Sequence, residues 1–141
     1  MYPQKRLDSV LDYAKSFIGT PYRWGGRHPS EGLDCSEFVQ IVLRAVGFDP
    51  PGDQTAQTLY DKLKNCSSIP DPQAGAVLFF GKSVTKMSHV ALALDELLMI
   101  EAGGGDRTTT TLQRAIEQRA FIRIRPIKSR TDLLDCLLPF Y

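Results

Sequence analysis

Leu7, Val10, Leu11, Ala14, Phe17 and Ile18 recur at spacings of three and four, which predicts a first amphipathic helix. Gly19, Thr20 and Pro21 end it. A stretch rich in Gly and Pro then runs to Asp34, and a loop of that length inside a compact domain is expected to be functional. From Cys35 to about Val46 the residues Phe38, Val39, Ile41, Val42, Leu43, Ala45 and Val46 leave little polar face. That pattern predicts a helix buried on most sides, stopped by Gly47. Ala56, Leu59, Tyr60 and Leu63 place a third helix over Thr55 to Lys64.

Beyond Pro70 the period changes. Ala76 to Phe80 is a short apolar run after a turn at Pro72 and Gly75, and Phe121 to Arg125 reads as another strand. His89 to Leu94 and Leu97 to Ala102 read as a hairpin around Asp95-Glu96. Gly103-Gly104-Gly105 with Thr108 to Thr111 is expected to be a flexible loop, either bordering a site at Glu101, which it follows, or plainly mobile. Leu112 to Gln118 is expected to form a helical turn and Thr131 to Leu138 a terminal helix. Helices first and an antiparallel sheet after them is the α+β pattern. There are no internal repeats or linkers, so residues 1–141 are expected to form one domain.

Composition narrows the function. Hydrophobic residues make up 43% and charged residues 23%, which is globular rather than disordered. A net charge of +1 gives no bulk electrostatic case for nucleic acid or an anionic membrane. No apolar run is long enough for a membrane span. Met1-Tyr2-Pro3-Gln4-Lys5-Arg6 lacks the apolar stretch of a secretory signal, so synthesis and folding in the cytoplasm are expected. Cys35, Cys66 and Cys136 are too few and scattered for a disulfide scaffold, and no CxxC pair suggests structural zinc. A Cys66–Cys136 disulfide stays open for an oxidising compartment, with free thiols the default.

Asp34-Cys35-Ser36-Glu37 carries the candidate chemistry. Asp34 reads as an N-cap, Cys35 as the first helical residue and Glu37 as the capping-box partner at the third. Cys35 then lies among the unpaired N–H groups of a helix start, where negative charge is favoured and the thiolate is the nucleophilic form. On these four residues alone, an ordinary buried cysteine is an equal reading.

A thiolate needs a base, and His28 and His89 are the two histidines. His28 sits in the long loop and is expected to be solvated. His89 opens a strand, which holds a base more rigidly. Glu101 on the next strand is an even number of residues away. An odd-length hairpin loop then puts the two on one face, directly opposite each other, where Glu101 can orient the imidazole. A two-residue Asp95-Glu96 turn would send Glu101 to the other face, but it needs positive φ at both positions. A three- or five-residue loop is therefore expected. The alternative is that Glu101 merely ends a strand in water.

At this point the residues match a family. Gly19-Thr20-Pro21-Tyr22-Arg23-Trp24-Gly25-Gly26, Gly32-Leu33-Asp34-Cys35-Ser36, Pro72-Gln73-Ala74-Gly75-Ala76-Val77-Leu78-Phe79-Phe80, Ser88-His89-Val90 and Met99-Ile100-Glu101-Ala102 resemble, in order, the blocks of NlpC/P60 cysteine peptidases. The resemblance covers the chain from the first helix to about Ala102. It implies a papain-like α+β fold: N-terminal helices, with the nucleophile at a helix N-terminus packed on an antiparallel β-sheet. It also implies hydrolysis of peptide bonds in peptidoglycan stem peptides or muropeptides, often between D-glutamate and diaminopimelate or lysine. No cofactor is expected. Ligand type alone would allow a metal on Cys35, His89 and Glu101, but no spacing signature supports one.

Carried over by position, the resemblance makes Cys35 the nucleophile, His89 the general base and Glu101 the third member. Tyr22 would line the cleft, Asp34 and Ser36 would hold the free amine of a stem peptide, and the Cys35 N–H would serve as an oxyanion donor. Two residues depart from the family pattern. Glu37 stands where Gly is common, and Glu101 where His, Asn or Gln is usual. An amidase or acyltransferase of the same superfamily is a rival reading. So is a non-catalytic module that binds wall peptides, its site spoiled by Glu37 and Glu101. Arg119, Arg123, Arg125, Lys128 and Arg130 are expected to form a solvated strand face, with attraction of wall-peptide carboxylates as the alternative. Without a leader, access to the wall would need lysis, a phage particle, a carrier protein or an injection system; action on recycled fragments inside the cell would need none.

Overall fold

The apolar runs of the second half meet in one sheet, and the helices of the first half cover it. The computed structural model describes residues 3–139. The helices are α1 (Gln4–Lys15), α2 (Cys35–Ala45), α3 (Ala56–Leu63) and α4 (Leu112–Gln118). A short pair, β1 (Arg27–His28) and β2 (Gly32–Leu33), folds the Gly- and Pro-rich stretch back on itself. The main sheet is built from β3 (Ser67–Ser68), β4 (Val77–Gly81), β5 (Met87–Ala93), β6 (Leu98–Gly103), β7 (Phe121–Pro126) and β8 (Leu133–Leu138). Its order is β3-β8-β4-β5-β6-β7, and every neighbouring pair is antiparallel. The α+β expectation holds. Among the described residues no helix is long and apolar enough to cross a membrane.

Both faces of the sheet are apolar. Val77 and Phe79 of β4 join Val10, Phe38, Val42 and Leu59 in the helix-side core, while Leu78 and Phe80 alternate onto the other face with Met99 and Ile127. The β5–β6 hairpin closes through Asp95, Glu96 and Leu97. Leu94 N–H donates to the Leu98 carbonyl at 2.8 Å, and the Asp95 carboxylate accepts from the N–H groups of Leu97 (2.8 Å) and Leu98 (2.7 Å). The loop therefore has the odd length expected from the unsuitability of Asp-Glu for a two-residue turn. All three cysteines are free. Cys66 packs against the helix-side core, whereas Cys136 belongs to the core on the opposite face.

The expected terminal helix is instead the strand β8. Leu134, Leu137 and Leu138 satisfy helical spacing, but this segment fills the side of β4 that β5 leaves open, with Leu137 opposite Val77 and Cys136 opposite Leu78. Leu137 enters the helix-side core, and Cys136 and Leu138 enter the other. The second half of β8 is buried on both faces and reads as a continuous apolar run, which periodicity alone does not separate from a helix. Asp135 within it accepts hydrogen bonds from the Tyr60 hydroxyl (2.9 Å) and the Ser68 hydroxyl (2.7 Å), tying β8 to α3 and β3. The two leucines give a direct check. In a helix Leu134 and Leu137 would share a face; here Leu134 is 40% exposed and Leu137 fully buried. In chemical denaturation, Leu137→Ala is expected to cost about 2–5 kcal/mol and Leu134→Ala about 0.5 kcal/mol or less.

Candidate active site

Asp34 starts α2. Its backbone is extended and its carboxylate accepts from the Glu37 N–H at 2.9 Å and from the Ser36 hydroxyl at 3.1 Å. This is the expected N-cap, and it leaves Cys35 as the first helical residue, half-buried at the helix mouth. The reciprocal half of the expected capping box is not made. The Asp34 N–H goes to the Gly26 carbonyl at 3.3 Å, and the buried Glu37 carboxylate turns along the helix to Arg44, 3.5 Å away. Burial pushes both carboxyls up. For Asp34 the Glu37 N–H, the Ser36 hydroxyl and the Arg27 charge oppose this. For Glu37 Arg44 opposes it, and the Asp53 and Asp34 charges add to it.

His89 lies near the start of β5, buried against Phe80 at 5.6 Å between ring centroids. Its Nε2 donates to Glu101 Oε1 at 2.9 Å, which leaves Nδ1 for the Cys35 side chain, near enough to raise the basicity of the imidazole. Glu101 is 3% exposed, so it does not end a strand in water. The register differs from the expected direct pairing. Leu92 faces Ile100 and Ala93 faces Met99, so the ladder continued would set Ala91 against Glu101, with His89 one diagonal step beyond. Parity still leaves both side chains on one face, and glutamate is long enough to span the diagonal. Gly103 makes room for it, since a Cβ there would collide with the Glu101 carboxylate.

The second carboxylate oxygen of Glu101 accepts from Arg123 Nε at 3.2 Å, directly across on β7. Burial raises the Glu101 carboxyl, but the His89 bond and charge, then Arg123, outweigh it and hold it below the usual range. For His89, burial pulls the imidazole down. Hydrogen bonds to Cys35 and Glu101 and their charges prevail and lift it from 6.5 to about 9. Thiol, imidazole and carboxylate thus form one chain of contacts from α2 through β5 to β6.

These groups open onto a cleft of about 750 Å³, which Tyr22, Asp34 and Ser36 also line. Tyr22 is buried, and Gly105 presses so closely on its ring that a Cβ there would overlap it. Burial raises the phenol well above its ordinary value, with the Cys35, Asp34 and Asp106 charges adding to the effect. The segment after Glu101 does border the cleft, and hydrogen bonds shape it from Asp106 onward. Asp106 accepts from the Thr108 and Thr109 N–H groups, and Trp24 N–H donates to the Thr109 carbonyl at 2.7 Å. His28 is exposed, bonded to Ser30 Oγ at 2.7 Å and absent from the cleft wall.

Sequence reasoning underrated the arginines. Arg123, Arg125 and Arg130 line the cleft rather than a solvated face, whereas Arg119 and Lys128 do not line it. The alternation of Arg123 and Arg125 with Ile122 and Ile124 was the available signal, because it puts both arginines on the Glu101 face. Arg107 over the Trp24 ring, 5.8 Å from its centroid, and Arg27 paired with Asp53 add to the rim.

Comparison with known proteins agrees with this arrangement. Residues 19–126 match the NlpC/P60 family. Protein P54 of Enterococcus faecium is 38% identical over 87 residues, 61% of this chain and 16% of that protein. The probable peptidoglycan endopeptidase LytE of Bacillus subtilis is 33% identical over 97 residues, 69% of this chain and 27% of that protein. The chain spans less than half the length of such curated relatives. Among solved structures, the NlpC/p60 domain of the peptidoglycan hydrolase SagA superposes with a TM-score of 0.68 at 25% identity, covering 93% of this chain and 97% of that one. An NLP/P60 family protein of Staphylococcus aureus, similar to lipoprotein, reaches 0.74 at 25% identity, covering 99% of this chain and 43% of that one. A sequence match over most of the chain, on a fold that solved domains of the same family share along nearly its whole length, means that this protein belongs to the NlpC/P60 family.

Proposed function

We propose that the protein is a cysteine peptidase that hydrolyses peptide bonds in bacterial peptidoglycan stem peptides, of the D-glutamyl-diaminopimelate or D-glutamyl-lysine type. The observation that carries this reading is the buried 2.9 Å bond from His89 to Glu101 behind a cysteine at a helix mouth, all on one cleft. The relatives support the substrate class: one is a probable peptidoglycan endopeptidase and another a gamma-D-glutamyl-L-lysine dipeptidyl-peptidase, both of Bacillus subtilis.

In this proposal a protonated His89 faces a Cys35 thiolate held at the positive end of α2. The sulfur attacks the scissile carbonyl carbon, a C–S bond forms, and the Cys35 N–H at the helix start stabilises the oxyanion. His89 gives its proton to the amine nitrogen as the C–N bond breaks, leaving an acyl-enzyme and a free amine. Water then attacks the thioester and loses its proton to His89, the C–S bond breaks, and the new carboxyl product departs. Glu101 keeps the imidazole in register and stabilises its charged form. Tyr22 lines the cleft beside the reacting carbon, and Asp34 with Ser36 takes the free amine of the stem peptide.

Mass spectrometry of products from defined stem peptides tests the activity directly. Cys35→Ala is expected to abolish cleavage while leaving the fold intact; retained cleavage would end the proposal. The raised imidazole stays protonated from neutral pH up to about 9, so kcat/KM is expected to fall as pH rises through that value. Glu101→Gln removes a charge that favours the imidazolium, and the falling limb should move to lower pH with a rate loss of about tenfold near neutrality. Asp34→Asn keeps a good N-cap but loses the negative charge. It is expected to raise KM about tenfold for peptides with a free N-terminal amine and to leave N-acetylated peptides unaffected, by initial-rate kinetics.

A further inference from the structure

Glu101 needs more than His89 to hold its place. A glutamate reaching diagonally across a hairpin, past a glycine, has several rotamers that would swing its carboxylate into the open cleft. We propose that Arg123 is a positioning residue for the proposed peptidase reaction, clamping one oxygen of Glu101 from the edge strand so that the other stays against His89. The inference rests on the reading of Cys35 and His89 as reacting groups, and it adds a fourth member to the site.

The clamp is built from both sides. Arg123 and Glu101 are direct cross-strand partners, with Nε bonding Oε2 at 3.2 Å. Arg123 Nη1 donates to the Arg119 carbonyl at 3.2 Å, so the guanidinium is itself anchored. Arg119 caps the end of α4 with φ 54°, the one positive φ at a non-glycine among the described residues. This left-handed residue is a common way to end a helix, closed here by the Ala120 N–H on the Ala115 carbonyl at 2.8 Å, and it leaves the Arg119 carbonyl to accept from Arg123. Gly103 and Gly104 clear the space between: a Cβ at Gly104 would lie 3.2 Å from Arg123 Nη1 and 3.0 Å from the Arg119 carbonyl oxygen. The planar fork of arginine suits this double duty, whereas lysine has a single point charge to offer.

Charge balance alone is a different role, and the two predict opposite signs. The titratable groups facing His89 are Cys35 from α2, Glu101 from β6 and Asp132 just before β8, with Arg123 behind Glu101 and Arg130 paired to Asp132. If Arg123 only balanced charge, its removal would take a positive group from the neighbourhood and make the imidazole more basic. If it positions Glu101, its removal frees the carboxylate, the buried imidazole loses its partner, and its basicity falls.

NMR titration of the His89 ring separates these outcomes, and His28→Gln removes the second histidine signal without touching the cleft. In that background Arg123→Leu is expected to lower the His89 midpoint by about one unit, as Glu101→Gln does, and to add nothing when combined with Glu101→Gln. Arg123→Lys, which keeps the charge and disturbs folding least, should lower it by a smaller amount. With a defined stem peptide, kcat should fall about tenfold in Arg123→Leu with KM nearly unchanged. A midpoint that stays or rises in either Arg123 variant, or an equal shift in the Glu101→Gln background, would overturn the clamp. The titration uses no substrate. Failure of cleavage in the parent protein with the expected shifts present would therefore strike the peptidase reading and not the positioning of Glu101.

Discussion

The hydrogen bond between His89 and Glu101 is the constraint around which the rest is arranged, because it places a carboxylate where water hardly reaches. An ionised group buried without partners costs several kcal/mol even after the structure relaxes. Glu101 has both oxygens engaged, one by the imidazole and one by Arg123. β6 lies between β5 and β7, so the strands on either side of Glu101 carry its two partners. The same requirement explains why β6 ends in glycine: any side chain at Gly103 would occupy the volume that the carboxylate needs.

The helix end supplies the opposite half of the electrostatics. An α2 N-terminus with its unpaired N–H groups favours negative charge, and Cys35 is seated there by the Asp34 cap and by its packing against the helix-side core. Asp34 therefore acts on two levels, fixing where the helix begins and lining the cleft that the helix opens onto. Glu37 does not close the cap. Its carboxylate is drawn towards Arg44 and away from a reciprocal bond to the Asp34 backbone, whose N–H is already taken by Gly26. Its burial follows from the apolar surroundings of α2, and Arg44 offsets part of the cost.

Much of this was legible in the sequence because local rules and global packing agree there. Helical spacing placed α1, α2 and α3, and the unsuitability of Asp-Glu for a two-residue turn gave the odd hairpin loop that keeps His89 and Glu101 on one face. The exact partner was not legible, since a loop centred on Glu96 rather than Asp95 shifts the ladder without changing parity. β8 was misread because its second half, Cys136 to Leu138, is buried on both faces and loses its alternation. The β1–β2 pair and β3 are two residues each, too short to leave a period. Arg123 was hidden for another reason. A basic strand residue looks solvated until the strand on its other side is known to carry a buried acid.

Net charge conceals the same separation. A total of +1 describes a nearly neutral chain, yet the cleft gathers many charges of both signs. Asp34, Glu37 and Asp53 line it near the mouth of α2, with Arg27 paired to Asp53. Arg123, Arg125 and Arg130 line it from β7 and the segment before β8, around Glu101, and Asp106 and Arg107 line it from the loop after β6. Of the cationic side chains, Arg123 is committed to Glu101, and Arg130 is committed to Asp132 through two bonds of 2.9 and 2.8 Å. Such a division favours a ligand carrying an amine at one end and carboxylates at the other, because each charge meets its opposite in a site partly shielded from solvent. A stem peptide with a free amine has that form. The substrate preference of the proposed peptidase would then come from where charges of both signs are held apart, which no sum over the composition can express.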